Sequence, residues 1–525
     1  MGAFEPLTDF VVAPTQTARL ARTLSLMRLS GPMNRPVVRV IFYGQSITIY
    51  PWWQEVSERL KAAYPYVRFE IQNLAISGFM ADRLAQACEY DVIPAQPDLI
   101  ILHAYGWEDG FKDLLGKLRS RTTADILVQR DHPLSEAELV EETDPARLEG
   151  TNPETWEYKN YVWLPRQVEL NGCCLADVRG YWKRYCQVHN LSVRQLLGDP
   201  THPNEEGNHV MAAAVLAYLL PGLPFVQVRP WKGGRAVEWT HVRDPAGPTR
   251  KLALSFTGTR VDAVTDRVQP GSVSVRLDGR APSEIPELRG FRRGTTVPGL
   301  PWPAVTVIGS RAPLLTETWT LSITAILESN NRIEFHVDGS KTGFDGKGTS
   351  LTTFVSNSGR VVIPPGTWLL GYGLILQGIP LPTDYQIQWN CEWVGVDALE
   401  CSAPEAPGGY PVTTLAAGLT DGKHRLELEG LALAGVRALR IYRPTGTAEI
   451  QLLGSLSALN APRLRMETSQ GRLRFQMEGG EGFSALLETS TDLLQWRELG
   501  RLTTEGPSWT PDSTDSQRLF RLRVE

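Results

Sequence analysis

Ser46, Asp199, His202 and Gly78 are the residues of this chain whose types and placement could do covalent chemistry. Ser46 follows an apolar run, Val37-Val38-Arg39-Val40-Ile41-Phe42, through the abrupt stop Tyr43-Gly44-Gln45. A serine just past a buried strand would stand exposed at the carboxyl edge of a sheet. Strand-end serines are common, however, and Ser46 alone signifies little. Asp199 and His202 lie three residues apart in "GDPTHPNEEGNHVMAAA", a Gly/Pro-rich turn ahead of a helical pattern. Such a turn can present the imidazole forward while the carboxylate reaches its other nitrogen, fixing the tautomer and stabilising the imidazolium. Gly78, in "NLAISGFMADRL", sits at a strand-to-helix turn, where the missing side chain leaves the backbone N–H open to an oxyanion. Nucleophile, base, orienter and oxyanion donor are the parts of an acyl-transfer site.

The elements that must position these parts follow from hydrophobic spacing. "VVRVIFYG", "VRFEIQNLA", "PDLIILHA", "ADILVQ" and "CCLADV" have strand character, and "WWQEVSERLKAAY", "ADRLAQACEYDVI", "FKDLLGKLRS", "RGYWKRYCQVH" and "EGNHVMAAAVLAYLL" have helical spacing between and after them. The run "PDLIILHA" is continuously apolar, as expected of a parallel strand covered on both faces. Repeated β-α units predict a doubly wound, three-layer sheet with its ligand site beyond the carboxyl ends of the strands. Residues 131–170, polar and rich in Glu and Trp, interrupt the rhythm like an insertion beside that site. "PGLPFVQVRPWKGG" is a boundary, after which short β-branched and aromatic runs end in Gly, Asp or Asn turns, the pattern of antiparallel sandwiches. The expected division is therefore an N-terminal segment 1–35, an α/β domain 36–222, a β-sandwich region 235–460 of one or two modules, and a small β-module 461–525. Within the first segment, "TARLARTLSLMRL" is either a helix or a strip packed along the sandwich.

Composition narrows the function classes. The chain has 525 residues, 42% hydrophobic and 21% charged, which is a folded multidomain protein rather than a disordered one. A net charge of −5 gives no basic footprint for nucleic acid. No stretch has the eighteen or so consecutive apolar residues of a membrane helix, and "MGAFEPLTDFVV" does not read as a signal peptide. No cysteine spacing has the paired form of a zinc site, so neither metal nor cofactor is expected. Cys88, Cys173, Cys174 and Cys186 read as buried thiols of the α/β core, and Cys391 with Cys401 is the one pair to consider for a disulfide.

Four blocks together carry a resemblance: Gly44-Gln45-Ser46-Ile47, Asn73 through Gly78, Gly106 through Asp109, and Asp199-Pro200-Thr201-His202. In order and spacing they resemble the SGNH (GDSL-type) hydrolase superfamily, over residues 36–220 only. The resemblance implies a flavodoxin-like α/β/α fold and ester hydrolysis through an acyl-serine. It casts Ser46 as nucleophile, His202 as base, Asp199 as its orienter, and the N–H groups of Ser46 and Gly78 as oxyanion donors. Two departures stand out. The first block reads GQS rather than GDS, as in a branch of carbohydrate O-acetylesterases, which makes Gln45 a substrate-side residue. The third block puts Glu108 where the family's asparagine donates to the oxyanion, although an ionised carboxylate only accepts. Either Glu108 is protonated, or it points elsewhere, or another residue serves.

Other residues have two readings each. Arg130 and His132, in "VQRDHP", lie at the sheet edge that touches substrate, or merely build a turn around Asp131 and Pro133. His103 closes a buried strand and reads first as a core histidine, and His209 as a helix residue. Trp107, in the third block, could stack on a sugar, and Trp156 and Trp163 could wall the site. Trp52 and Trp53 stand between packing the first helix and lining the site, and Trp389 and Trp393 alternate like core residues of a sheet. The expected function is a serine esterase removing O-acetyl groups from carbohydrates, with a small-molecule or polysaccharide ester as its partner. "LETSTDLLQW" resembles part of β-domains appended to secreted bacterial hydrolases, which implies an extracellular or periplasmic location. The alternatives are a general carboxylesterase or lipase-like enzyme on the same triad, and a non-catalytic glycan-binding protein.

Overall fold

The computed structural model describes residues 5–106, 108–220, 232–233, 236–239, 251–327 and 332–444, and beyond them 463–469, 472–478, 484–490, 497–503 and 519–524. The chain forms two compact units, Met1–Gly446 and Thr447–Glu525.

In the first unit, five strands, β1 (Val37–Gly44), β2 (Arg68–Asn73), β3 (Leu99–His103), β4 (Asp125–Gln129) and β5 (Cys174–Ala176), form a parallel sheet in the order β2-β1-β3-β4-β5. Alternating residues supply its two faces. Ile41, Tyr43, Ile100, Leu102, Ile126 and Val128 pack with the helices Ala81–Ala87 and Asp109–Arg121. Val38, Val40, Phe42, Leu99, Ile101 and Leu127 pack with Trp52–Ala63, Val178–His189 and Glu205–Leu216. The result is a three-layer α/β/α domain with its switch point between β1 and β3, where flanking connections run to opposite faces and a crevice opens. The N-terminal segment forms a helix, Ala21–Arg28, buried on the second face of this sheet, with the Arg22 guanidinium also lying over the Tyr442 ring of the β region at 5.9 Å. Its Thr23 N–H donates to Asp125 Oδ2 at 2.8 Å, and Arg22 Nη2 donates to Asp98 Oδ1 at 2.6 Å.

The polar stretch between β4 and β5 folds as short helical turns, among them Pro145–Leu148 and Leu164–Leu170. Arg179, on the helix that follows β5, holds it down by bonding Glu138 Oε2 and Glu141 Oε2, each at 2.6 Å.

After the α/β domain come antiparallel sheets of seven and five strands whose members interleave along the chain. The seven-stranded sheet is built on two long strands, Lys251–Thr265 and Val412–Glu429, each turned by register shifts. Alternation in Arg332–Gly339 and Gln386–Trp393 sends Ile333, Phe335, Val337, Ile387 and Trp389 to the inner face of the five-stranded sheet. That face belongs to the same apolar core as one face of the parallel sheet. Polar bonds reinforce the junction: Thr306 Oγ1 donates to Gln86 Oε1 at 2.7 Å, the Tyr90 hydroxyl donates to Ile308 O at 3.1 Å, and Arg293 pairs with Asp91. Burial raises the Asp91 carboxyl above its ordinary value, against the pull of the Arg293 guanidinium. Continuous core of this kind makes the β region part of the domain it abuts.

All six cysteines are buried free thiols. Cys391 lies in the core shared with the parallel sheet and Cys401 in the core of the seven-stranded sheet, so the pairing suggested by their spacing is not formed. No helix among the described residues is long and apolar enough to cross a membrane. In the second unit, Arg463–Ser469 pairs with Arg472–Glu478, and Ser484–Ser490 lies between Arg497–Thr503 and Leu519–Val524, all antiparallel.

Removing the guanidinium in Arg22→Met leaves Asp98 buried without its ion-pair partner. The expected cost is about 3 kcal/mol, seen as a lower urea midpoint at unchanged slope. A wild-type midpoint would show that this pair does not hold the helix to the sheet.

Candidate active site

At the end of β1 the chain turns on Gly44, whose φ is +159°. A Cβ there would lie 2.1 Å from the His103 carbonyl oxygen and 2.4 Å from Thr48 Oγ1, so only glycine lets β1 and β3 close up before they diverge. Ser46 then opens the one-turn helix Ser46–Ile49. The second block runs alongside: the Ile76 N–H donates to Gly44 O at 2.8 Å, and Asn73 Nδ2 donates to Thr48 O at 2.7 Å. From the far end of the domain, Asn204 caps the helix Glu205–Leu216 by accepting from the Gly207 N–H at 3.0 Å. One turn along, Asn208 Oδ1 accepts from the Trp52 N–H at 3.3 Å, tying this helix to the one that follows Ser46.

These anchors bring three of the candidate residues into one line. His202 Nε2 lies 2.8 Å from Ser46 Oγ, and His202 Nδ1 lies 2.7 Å from Asp199 Oδ2. Asp199 Oδ1 accepts from the backbone N–H groups of Thr201 at 2.7 Å and His202 at 2.8 Å. The Thr201 and His202 N–H bonds, followed by the His202 side chain, lower the Asp199 carboxyl to about 2. An ionised carboxylate only accepts, so Nδ1 carries the proton and Nε2 offers its lone pair to the Ser46 hydroxyl. The arrangement can therefore accept a proton from Ser46 at one nitrogen while its charge is balanced at the other.

The N–H groups of Ser46 and Gly78 have no acceptor among the described residues. Gly78 has φ +77°, a conformation that glycine adopts without strain. Glu108, also at positive φ (+65°), is exposed at the start of the helix Asp109–Arg121, and its side chain makes no hydrogen bond or ion pair among the described residues.

The other described candidates bond neighbouring residues. Gln45 is 4% exposed, and its amide Nε2 donates at 3.4 Å to His103 Nδ1, whose Nε2 donates to Asp131 Oδ1 at 3.1 Å. His132 is fully buried, and its Nε2–H donates to Thr201 O at 3.0 Å, backing the Asp199–His202 turn. Burial, with His103 nearby, pushes His132 down to about 3, so it stays neutral over the working pH range. Arg130 bonds Asp177 Oδ1 at 2.8 Å and Asn160 O at 3.0 Å. Trp107 lies outside the described residues. Trp52 is fully buried, its indole N–H donating to Ile47 O at 2.7 Å, whereas Trp156 is 40% exposed beside Tyr105. Among the described residues, no group of three or more His, Cys, Asp or Glu side chains is arranged to hold a metal ion.

Tyr50 is the neighbour that sequence reasoning missed. Its ring stacks on the His202 imidazole, centroids 4.9 Å apart and planes 8° from parallel. The stack limits rotation of the imidazole. The available signal was spacing, since four residues from Ser46 across a helical turn returns to the same face.

Asp199 should titrate with a midpoint of about 2 in a pH series of its carboxyl NMR signal. The bonded form is the ionised one, so its stabilisation is complete above the ordinary value and is lost as pH falls through about 2. Because the backbone donors lead, His202→Ala should return the midpoint only part of the way toward 3.8. A wild-type midpoint near 3.8 would contradict this geometry.

No protein-family model matches the chain, and no curated protein matches it. Among solved structures it is similar to LAE5, an alpha/beta hydrolase enzyme from the metagenome of Lake Arreo, Spain, with 21% identity and a TM-score of 0.29 over 36% of this chain and 98% of that one. It is similar to a two-domain esterase (CEX) active on acetylated mannans, with 11% identity and a TM-score of 0.30 over 82% of this chain and 95% of that one. A third similar structure is Axe2, an acetylxylan esterase from Geobacillus stearothermophilus, with 17% identity and a TM-score of 0.29 over 36% and 96% of the two chains.

Proposed function

We propose that the chain is a serine esterase of the SGNH type that removes O-acetyl groups from carbohydrates. The observation that carries this reading is the continuous hydrogen-bond line Ser46–His202–Asp199 at 2.8 and 2.7 Å, beside two N–H groups without an acceptor.

In the proposed reaction, Ser46 Oγ attacks the ester carbonyl as its proton passes to His202 Nε2. Asp199 steadies the imidazolium through Nδ1–H. The carbonyl oxygen becomes an oxyanion held by the N–H groups of Ser46 and Gly78, donors oriented by the backbone before reaction. The tetrahedral intermediate collapses, its bond to the leaving alkoxide breaks, and His202 returns the proton to make the free alcohol. Water then gives a proton to His202 and attacks the acyl-serine. The second collapse releases the acid, and the proton goes back to Ser46. The carbohydrate part of the reading rests on the Gly44-Gln45-Ser46 opening and is tested separately from the chemistry.

Wild-type protein should turn over p-nitrophenyl acetate, and Ser46→Ala should lower the rate by roughly four orders of magnitude. His202→Ala should be about as damaging, and the double variant little worse, because the two residues act as one unit. Equal rates for wild type and Ser46→Ala would end the esterase reading. Acetate released from a panel of acetylated oligosaccharides supports the substrate class. Preference for long acyl chains, without such release, would replace it with a general carboxylesterase.

A further inference from the structure

Two side chains of the β region reach the loop that carries Gly78: Arg293, which donates to Leu74 O at 3.3 Å, and Trp302. Trp302, 225 residues from Ser77 in sequence, donates its indole N–H to the Ser77 carbonyl at 2.6 Å. That carbonyl belongs to the same peptide group as the Gly78 N–H. The chain has no cis peptide bonds among the described residues, so this group is planar and trans, with C=O and N–H pointing in opposite directions. A donor fastened to the oxygen therefore fixes where the N–H points.

The fastening is rigid. Trp302 is 9% exposed and lies in the core shared by the parallel sheet and the five-stranded sheet. Its own backbone is held by the Val297 N–H, which donates to Trp302 O at 2.7 Å. Phe79 packs on one side, ring centroids 6.1 Å apart, and Tyr372 stacks at 5.8 Å with planes 7° from parallel. The ring also lies against Gly78 itself, where an added Cβ would come within 3.2 Å of Trp302 Cζ2. From the other direction, the Ile76 N–H bonds Gly44 O at 2.8 Å and holds the same loop to the strand end that carries Ser46. The loop is thus held by the nucleophile's strand at Ile76 and by Trp302 at Ser77, while the Gly78 N–H between these anchors and the next helix has no acceptor among the described residues.

We propose that Trp302 is a positioning residue for the oxyanion donor. By holding the Ser77 carbonyl, it orients and polarises the Ser77–Gly78 peptide so that the Gly78 N–H meets the developing oxyanion, and the β region thereby completes the active site. This rests on the esterase reading of Ser46. A hydrogen bond accepted by a peptide oxygen strengthens the donor at the other end of that peptide. It does so most where charge develops, so the effect belongs to the transition state rather than to ester binding.

The test replaces Trp302 by its sulfur isostere, benzothienylalanine, which keeps the ring shape and removes the N–H, alongside Trp302→Phe and Ser46→Ala. Turnover of p-nitrophenyl acetate is read as kcat and KM, with thermal unfolding as the check on folding. The expected result for the isostere is a kcat lower by roughly tenfold to a hundredfold, with KM and the melting temperature near wild type. Trp302→Phe should lose at least as much. A wild-type kcat in the isostere overturns the proposal while leaving the esterase reading intact, provided Ser46→Ala remains inactive. A fall in melting temperature that fully accounts for lost activity, with kcat per folded molecule unchanged, overturns it as well. If wild type and Ser46→Ala turn over the ester equally, both the esterase reading and the role of Trp302 fail.

Discussion

The close approach of two strand ends at Gly44 is the constraint on which the site depends. No side chain fits between the end of β1, the His103 carbonyl and Thr48, so β1 and β3 stay in register up to the point where their connections part. Divergence there opens the crevice of a doubly wound sheet, and Ser46 is two residues beyond the pinch. The carbonyl of Gly44 then recruits the Ile76 N–H, which lays the Gly78 loop along the same edge. A single missing side chain thus helps set the position of both the Ser46 hydroxyl and the loop that carries Gly78.

Across 156 residues the His202 imidazole is brought to this edge, 2.8 Å from Ser46 Oγ. Asp199 is paired twice by backbone N–H groups before its other oxygen meets His202, so the carboxylate keeps its place whatever the imidazole does. His132 supports the turn from behind through Thr201 O, and Tyr50 covers one face of the ring. Freedom lost in building these contacts is lost during folding, so it need not be lost again at the reaction step. The surrounding polar residues, Gln45, His103 and Asp131, form a buried chain of hydrogen bonds beneath the strand ends.

What could be read from the sequence was what is local. Alternating β and α patterns gave the parallel sheet, and the Asp199–His202 turn with its capped helix is contained within "GDPTHPNEEG". Burial direction was not local. Gln45 and Arg130 are polar residues at the correct sheet edge, yet their partners, His103 and Asp177, come from other strands and turns. The same limit applied to "TARLARTLSLMRL", whose place on the parallel sheet is decided by Asp98 and Asp125 far along the chain. Cys391 and Cys401 are close in sequence, but Cys391 on the strand Gln386–Trp393 and Cys401 just after the strand Ala398–Glu400 lie in different cores. Trp302 was beyond reach altogether, because nothing near it in sequence marks a bond to a loop 225 residues earlier.

Sharing of one apolar core between the parallel sheet and the five-stranded sheet makes the boundary between the α/β domain and the β region indistinct. Whether Ser46 is the nucleophile can be read by covalent capture. Treated with an activated organophosphate p-nitrophenyl ester, the protein should release one equivalent of p-nitrophenolate and carry the phosphoryl group on the peptide containing Ser46. His202→Ala should remain unlabelled under the same conditions. A folded wild-type protein that takes no label, or takes it on another residue, would show that Ser46 is not the nucleophile.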